Sequence, residues 1–442
     1  MKGLSYMNDA AKELNRTLSE ENPHVLHMLS DLGRELFYPK GVLTQSAEAK
    51  AKAGKYNATI GIATSQGESM HFSHIQETLS AYNPDDIYDY APPQGKEPLR
   101  QEWLKKMRLE NPSLAGKDIS TPIVTNALTH GLSIAADLFV NEGDTLLLPD
   151  KYWGNYNFIF GVRRKASIET YPLFQQDGRF NAAGLSELLK KQEEKAIVVL
   201  NFPNNPTGYT PGEEEAAEIV SVILEAAEAG KEIVVLVDDA YYNLFYDETA
   251  IQESIFSKLA QVHDRVLCVK IDGATKENYA WGFRVGFITY STKSEKALRV
   301  LEEKTKGIIR GTISSAPHPS QTFMLRAMQS PEYEKEKSLK YNIMKKRADK
   351  VKAVLAENKH YEDVWTPYPF NSGYFMCVRL KDINAGELRV SLLEKRGIGT
   401  ISINETDLRI AFSCVEEEHI ADLFEEIYQE AKQLQKQAEI SG

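Results

Sequence analysis

Cysteine is scarce: Cys268, Cys377 and Cys414 are the whole complement of a 442-residue chain. Their scatter holds no CxxC pair. That argues against a disulfide framework or a metal site and leaves three small apolar side chains suited to a reducing compartment. Long hydrophobic runs are missing too, since no segment approaches the roughly 18 apolar residues of a membrane helix. Met1–Thr17 is polar and does not read as a secretory leader. Basic charge is in deficit, with 52 Lys and Arg against 63 Asp and Glu and a net charge of −11. This weighs against nucleic acid or an anionic membrane as partner, though a local cationic pocket stays open. No G-x-G-x-x-G follows a first strand, which disfavours a nicotinamide dehydrogenase. What is present is an ordinary globular composition, 42% hydrophobic and 26% charged, in a chain long enough for more than one core. The expected address is the cytoplasm.

From about Ile119 two textures alternate. Strand-length apolar runs are TPIVT, DTLLLPD, SIETYPL, KAIVVLNF, EIVVLVDDA, RVLCVKI and VGFITY, with helix-like stretches such as Leu128–Val140 and Glu213–Ala229 between them. Nearly continuous apolar strands alternating with helices predict an α/β domain whose mostly parallel sheet is covered by helices on both faces. After about Tyr333 comes a charged helical stretch, Glu334–Asn358, then the strand candidates GYFMCVRL and DLRIAFS and a final charged helix. This second texture predicts a smaller α+β domain. The expected division is a large domain over 62–333 and a small domain over 20–61 and 334–442.

Ligands in such sheets sit beyond the carboxyl ends of the strands. The residues found there form an ordered set. After TPIVT, Ala127, Leu128 and Thr129 open a helix whose free N–H groups suit a phosphate, as would any β-to-α turn. After DTLLLPD comes Trp153, either core packing or a flat stacking partner. After KAIVVLNF the turn PNNPTG carries Asn205. After EIVVLV stand Asp238 and Asp239, which face opposite ways on a strand, so that only one looks into a cleft. A carboxylate there needs a cationic or protonated partner. Lys276 and Arg284 follow, between the last two runs.

A phosphate turn, a flat aromatic, Asn, Asp, Lys and Arg match the parts of one ligand, pyridoxal 5'-phosphate. The chain resembles the pyridoxal-phosphate-dependent aminotransferases of the aspartate aminotransferase superfamily in its NNPTG and DDAY strings, in a lysine followed eight residues later by the arginine of FRVG, and in WGN. The resemblance runs from about Tyr90 to the C-terminus, with Asn22–Asn83 matching loosely. It implies that Lys276 is the catalytic, Schiff-base lysine and that Asp238 lies under the pyridine nitrogen. Tyr241 and Asn205 would donate to the phenolic oxygen, Trp153 would stack on the ring, and Ala127, Leu128, Thr129 and Arg284 would hold the phosphate. Tyr90 resembles a tyrosine that reaches the phosphate of a neighbouring subunit, which implies a homodimer with shared active sites. Arg409 matches the arginine that grips the substrate α-carboxylate, with Asn205 beside it.

Two departures stand out. The family often carries Ser three residues before the lysine, where this chain has Gly273, and often Ser-Gly or Gly-Gly at the phosphate turn, where it has Ala-Leu. Thr129 and Thr275 are the candidate replacements for the missing hydroxyl. The implied activity is ping-pong amino transfer between an amino acid and a 2-oxo acid. The alternative on the same scaffold is a carbon–sulfur β-lyase. Arg310, in IIRGTISSAP, is spaced like an arginine that reaches a neighbouring site to hold a distal carboxylate, which would make glutamate and 2-oxoglutarate the pair; the bland reading is an ion pair at the surface.

Overall fold

Alternating apolar and polar segments leave the strands no choice but to share one buried sheet. In the computed structural model, which describes residues 8–21, 23, 26, 29, 31–36 and 41–441, that sheet has seven strands. They are β1 (Ile123–Asn126), β2 (Thr145–Pro149), β3 (Ser167–Tyr171), β4 (Lys195–Asn201), β5 (Glu232–Asp238), β6 (Val266–Gly273) and β7 (Val285–Ser291), in the order β1-β7-β6-β5-β4-β2-β3. All seven apolar runs are therefore strands. The pairs from β6 to β3 are parallel, and β7 alone runs antiparallel to both its neighbours.

Helices cover both faces. They include α1 (Glu97–Glu110), α2 (Ala127–Phe139) and α3 (Glu213–Glu228). Alternation along one strand decides which face each side chain serves. Val235 of β5 packs in the layer with Ile219 and Ile223 of α3, whereas its neighbour Leu236 packs with Leu132 and Ile134 of α2. Lys276 stands on a single helical turn, α4 (Ala274–Glu277), directly after β6. Farther on come α5 (Glu295–Thr312), the long α6 (Tyr333–Glu357) and α7 (Ile420–Ser441). The charged stretch expected at 334–358 is thus helical, with Met344, Ala348, Val351 and Val354 as its buried stripe.

A four-stranded antiparallel sheet, β8 (Trp365–Pro367), β9 (Phe375–Leu380), β10 (Ile401–Ser402) and β11 (Asp407–Ala411), has the order β8-β9-β11-β10. The helix Val42–Lys52 lies against it, with Gln45 bonded to both the N–H and the carbonyl of Ser402. Within the expected 20–61 stretch, positions 22, 24, 25, 27, 28, 30 and 37–40 lie outside the described residues. The two sheets meet at a seam. Asn371 and Ser372 both donate their N–H to the carbonyl of Gly208, at 2.9 and 3.0 Å. Gly208 has φ +74°, and a Cβ there would lie 2.0 Å from the carbonyl oxygen of Phe375, so only glycine fits.

Candidate active site

A cavity of about 290 Å³ opens where β4, β5 and β6 end, against the edge of the four-stranded sheet. Eleven of the residues singled out from the sequence line it: Ala127, Leu128, Thr129, Trp153, Asn205, Asp238, Tyr241, Thr275, Lys276, Arg284 and Arg409. The ends of parallel strands and one strand of the second sheet bring them together across 283 positions of chain, from 127 to 409. Tyr90, 93% exposed, and Arg310, exposed near the end of α5, do not line it.

The carboxylate floor is the end of β5. Asp238, the last residue of β5, is buried, while the adjacent Asp239 turns to the other side and pairs with Lys270 and Ser254. Burial pushes the Asp238 carboxyl above its ordinary range. Four groups oppose that push: the Tyr156 hydroxyl, which donates at 2.6 Å, the Ala240 N–H at 3.1 Å, and the amines of Lys276 and Lys270. Asn201 steadies the same corner by donating to the Asp238 carbonyl at 2.9 Å and accepting from the Asn205 N–H at 2.9 Å. Neither Tyr156 nor Asn201 stood out in the sequence. The signal for Tyr156 was its place one helical turn after Trp153, facing a buried carboxylate that needs a donor.

Lys276 is half-buried, and its amine lies 5.3 Å from the centre of the Tyr241 ring. Burial lowers its pKa to about 8; Asp238 pulls it back up and Arg284 adds to the fall. The amine is therefore partly neutral near neutral pH. Arg409 reaches in from β11. Its Nη1 donates to Asn205 Oδ1 at 2.9 Å and its Nη2 to the Thr59 carbonyl at 3.0 Å, while its guanidinium lies 4.0 Å over Phe375. Its buried Nε has no partner among the described residues.

The opposite end suits a phosphate. The N-terminus of α2 offers N–H groups at Leu128 and Thr129, and Arg284 adds a cation; the Ala127 N–H, expected to be free, is instead taken by the Arg284 carbonyl. Two non-glycine residues with left-handed backbone face each other here, Ala127 at φ +62° and Arg284 at φ +55°, joined by a 3.0 Å bond from the Ala127 N–H to the Arg284 carbonyl. Such conformations persist where the surroundings over-determine them, often at ligand sites. The absence of serine at Gly273 has a steric cause. A Cβ there would lie 2.6 Å from the Val285 carbonyl oxygen and 2.8 Å from the Gly286 Cα. Thr275 lines the cavity instead, and its buried hydroxyl has no partner among the described residues. An orphaned hydroxyl, free helix N–H groups, a buried carboxylate and a partly neutral amine in one cavity fit pyridoxal 5'-phosphate.

Similarity to known proteins runs the same way. The profile of aminotransferase class I and II matches residues 65–427. The aspartate aminotransferase of Bacillus sp. (strain YM-2) is 24% identical over 251 residues, 56% of this chain and 60% of that relative's length. A crystal structure of an aminotransferase from Anaerococcus prevotii covers 92% of this chain and 99% of its own, at 25% identity and a TM-score of 0.82. The Pyrococcus horikoshii kynurenine aminotransferase, solved in complex with PMP, shares the fold at 19% identity, with a TM-score of 0.76 over 92% of this chain and 98% of its own. The chain belongs to aminotransferase class I and II, a family of pyridoxal-phosphate-dependent enzymes.

Proposed function

We propose that this protein moves an amino group between an amino acid and a 2-oxo acid by a ping-pong route. The observation that carries the reading is the convergence of Lys276, Asp238 and Arg409 on one cavity. Bound there, pyridoxal 5'-phosphate supplies an aldehyde for amines and a ring that withdraws electrons. The Asp238 carboxylate, held by Tyr156, keeps negative charge fixed at the cavity floor. Lys276 Nζ, partly neutral, would take the proton from the substrate Cα and pass it on to the bound cofactor, which leaves the amine as it began. Arg409 keeps its Nε and further N–H groups for the substrate α-carboxylate, because only two of its donors are committed. Thr275, Arg284 and the start of α2 hold the phosphate, and Trp153 closes one side.

The finer reading takes glutamate and 2-oxoglutarate as the pair. Arg310 would supply the second cation from a neighbouring copy, and Tyr90 would reach the neighbour's phosphate. The homodimer is proposed on their resemblance to residues that act across a subunit interface; each is exposed and away from its own chain's cavity. The division into 62–333 and 20–61 with 334–442 is proposed on the two separate sheets. The cytoplasm is proposed on the three free cysteines. No helix among the described residues is long and apolar enough to cross a membrane.

The test is a half-reaction screen. The holoenzyme is mixed with single amino acids, and its absorbance is followed without any acceptor. Stoichiometric conversion of the bound cofactor, reversed by a 2-oxo acid, supports amino transfer. Continuous pyruvate release from cystathionine without an acceptor would favour the β-lyase instead. Borohydride reduction followed by peptide mapping should place the pyridoxyl label on Lys276; a label on another lysine overturns the site.

A further inference from the structure

Directly after Lys276 stands Glu277, which does not line the cavity and whose side chain is 3% exposed. Its Oε1 accepts from Lys106 Nζ of α1 at 2.8 Å, and Lys337 Nζ of α6 lies 3.2 Å from its Oε2. The same two lysines reach one more carboxylate. Lys106 Nζ lies 2.7 Å from Glu110 Oε2, and Lys337 Nζ lies 3.0 Å from Glu110 Oε1. The result is a closed ring of two cations and two anions. Lys106 and Lys337 are only 10% and 12% exposed, and Lys106 also lies 4.7 Å over the Trp103 ring. Burial works against the charge on Lys106, and Glu110 and Glu277 overcome it, holding its pKa well above the usual lysine value.

A dehydrated ion ring is a poor device for stability alone, because apolar groups of like volume commonly do as well or better. What it does well is fix distance and orientation. Three successive residues of the lysine's turn are clamped from outside the cavity. Tyr374 Oη donates to the Lys276 carbonyl at 2.8 Å, the ring holds Glu277, and Asn278 Nδ2 donates to Tyr333 Oη at 2.6 Å. Tyr333 and Lys337 are four residues apart on α6, hence on one face. The backbone of α4 therefore has little freedom to roll, and the Lys276 side chain is the part left to move.

We propose that the ring of Lys106, Glu110, Glu277 and Lys337 is a positioning device for Lys276, acting through Glu277. The inference rests on the reading that Lys276 carries the cofactor. It makes Glu277 a positioning residue that touches neither substrate nor cofactor.

The test uses the holoenzyme. Glu277→Gln keeps the side-chain shape and removes one charge of the ring. Expected are a tenfold or greater fall in kcat, a KM for the amino donor within twofold of the wild type, and visible circular dichroism of the bound cofactor below half its wild-type value at equal cofactor content. Lys337→Met breaks the ring at another corner and should change both readouts in the same direction. Val354→Ala, at a buried position about 25 Å along α6, should lower the melting temperature and change neither. If both ring variants keep kcat and dichroism within twofold of the wild type, whatever their melting temperatures, the ring is merely structural and the proposal is overturned. Should Glu277→Gln fail to fold, Lys337→Met decides by the same criteria. Borohydride mapping of the wild type separates the two levels. A label away from Lys276 overturns the assignment of that lysine, whereas a label on Lys276 with unaltered variants overturns only the ring's role.

Discussion

Tyr156 donates its hydroxyl to Asp238 Oδ2 at 2.6 Å inside the wall of the cavity, where neither group meets solvent. The bond favours the ionised carboxylate against the burial that opposes it. Removing the hydroxyl with Tyr156→Phe should weaken the charge that Asp238 presents to the cofactor. A hydrogen bond to a charged group is worth about 2 kcal/mol, so kcat should fall roughly thirtyfold. Steady-state kinetics at saturating donor checks this; a loss confined to KM would mean that Tyr156 serves substrate binding instead.

Lys276 sets a pH dependence that the cofactor-free protein should display. Its folded pKa of about 8 is below the ordinary lysine value of 10.5. Only the neutral amine attacks an aldehyde, so the rate of cofactor capture should rise about tenfold per pH unit below 8 and level off above it. Between pH 8 and 10.5 the unfolded chain binds more protons at this residue than the folded one. The burial penalty on its charged form is therefore fully present below pH 8 and is relieved as pH rises through that window. Stopped-flow absorbance against pH measures the first effect, and a rate independent of pH between 6 and 8 would contradict it.

Thr275 and Gly273 should respond in opposite ways. Thr275→Val removes the unpartnered hydroxyl while keeping the shape, and cofactor affinity should drop by about tenfold, the scale of one hydrogen bond. Gly273→Ser puts back the hydroxyl common in the family, yet its Cβ collides with the backbone of β7. It should destabilise the fold by about 1–3 kcal/mol without tightening cofactor binding. Equilibrium dialysis and denaturant titration read the two effects separately.

Arg310 tests the substrate pair. With Arg310→Ala, kcat/KM for glutamate should fall by about 2–4 kcal/mol in transition-state free energy, the scale of a lost charge-assisted pair. Phenylalanine, which has no second carboxylate, should lose far less. Equal losses for the two donors would make Arg310 structural.

Much of this site was legible because strands in a buried sheet announce themselves as apolar runs, and the residues just past them fall at one rim. Asp238 and Asp239 divide between the two faces as strand alternation requires. Tyr156 was hidden because it begins an irregular helix, with a wide turn over Asn157–Val162 that shifts the helical register. Lys106, Glu110 and Lys337 read as ordinary helix charges, since Lys106 and Glu110 are spaced four apart like any surface pair. The second carboxylate that both lysines reach, Glu277, is 171 residues from Lys106, and no local pattern carries that distance. The Gly273 departure reads in sequence as a missing phosphate hydroxyl; in three dimensions it is the narrow gap between β6 and β7.

The seam at Gly208 has a mechanical consequence. Its carbonyl is shared by Asn371 and Ser372, and Asn371 also exchanges two side-chain bonds with the backbone of Thr210. That weld lies three residues from Asn205, which Arg409 grips from the other sheet. The jaw that would hold the substrate carboxylate is thus fastened at its own hinge, and both its sides travel together. Gly61, which also borders the cavity, belongs to the same jaw, since Arg409 holds the carbonyl of Thr59 two residues before it. Loosening the hold of Arg409 at Asn205 or at Thr59 should therefore be felt at the other, because one guanidinium grips both.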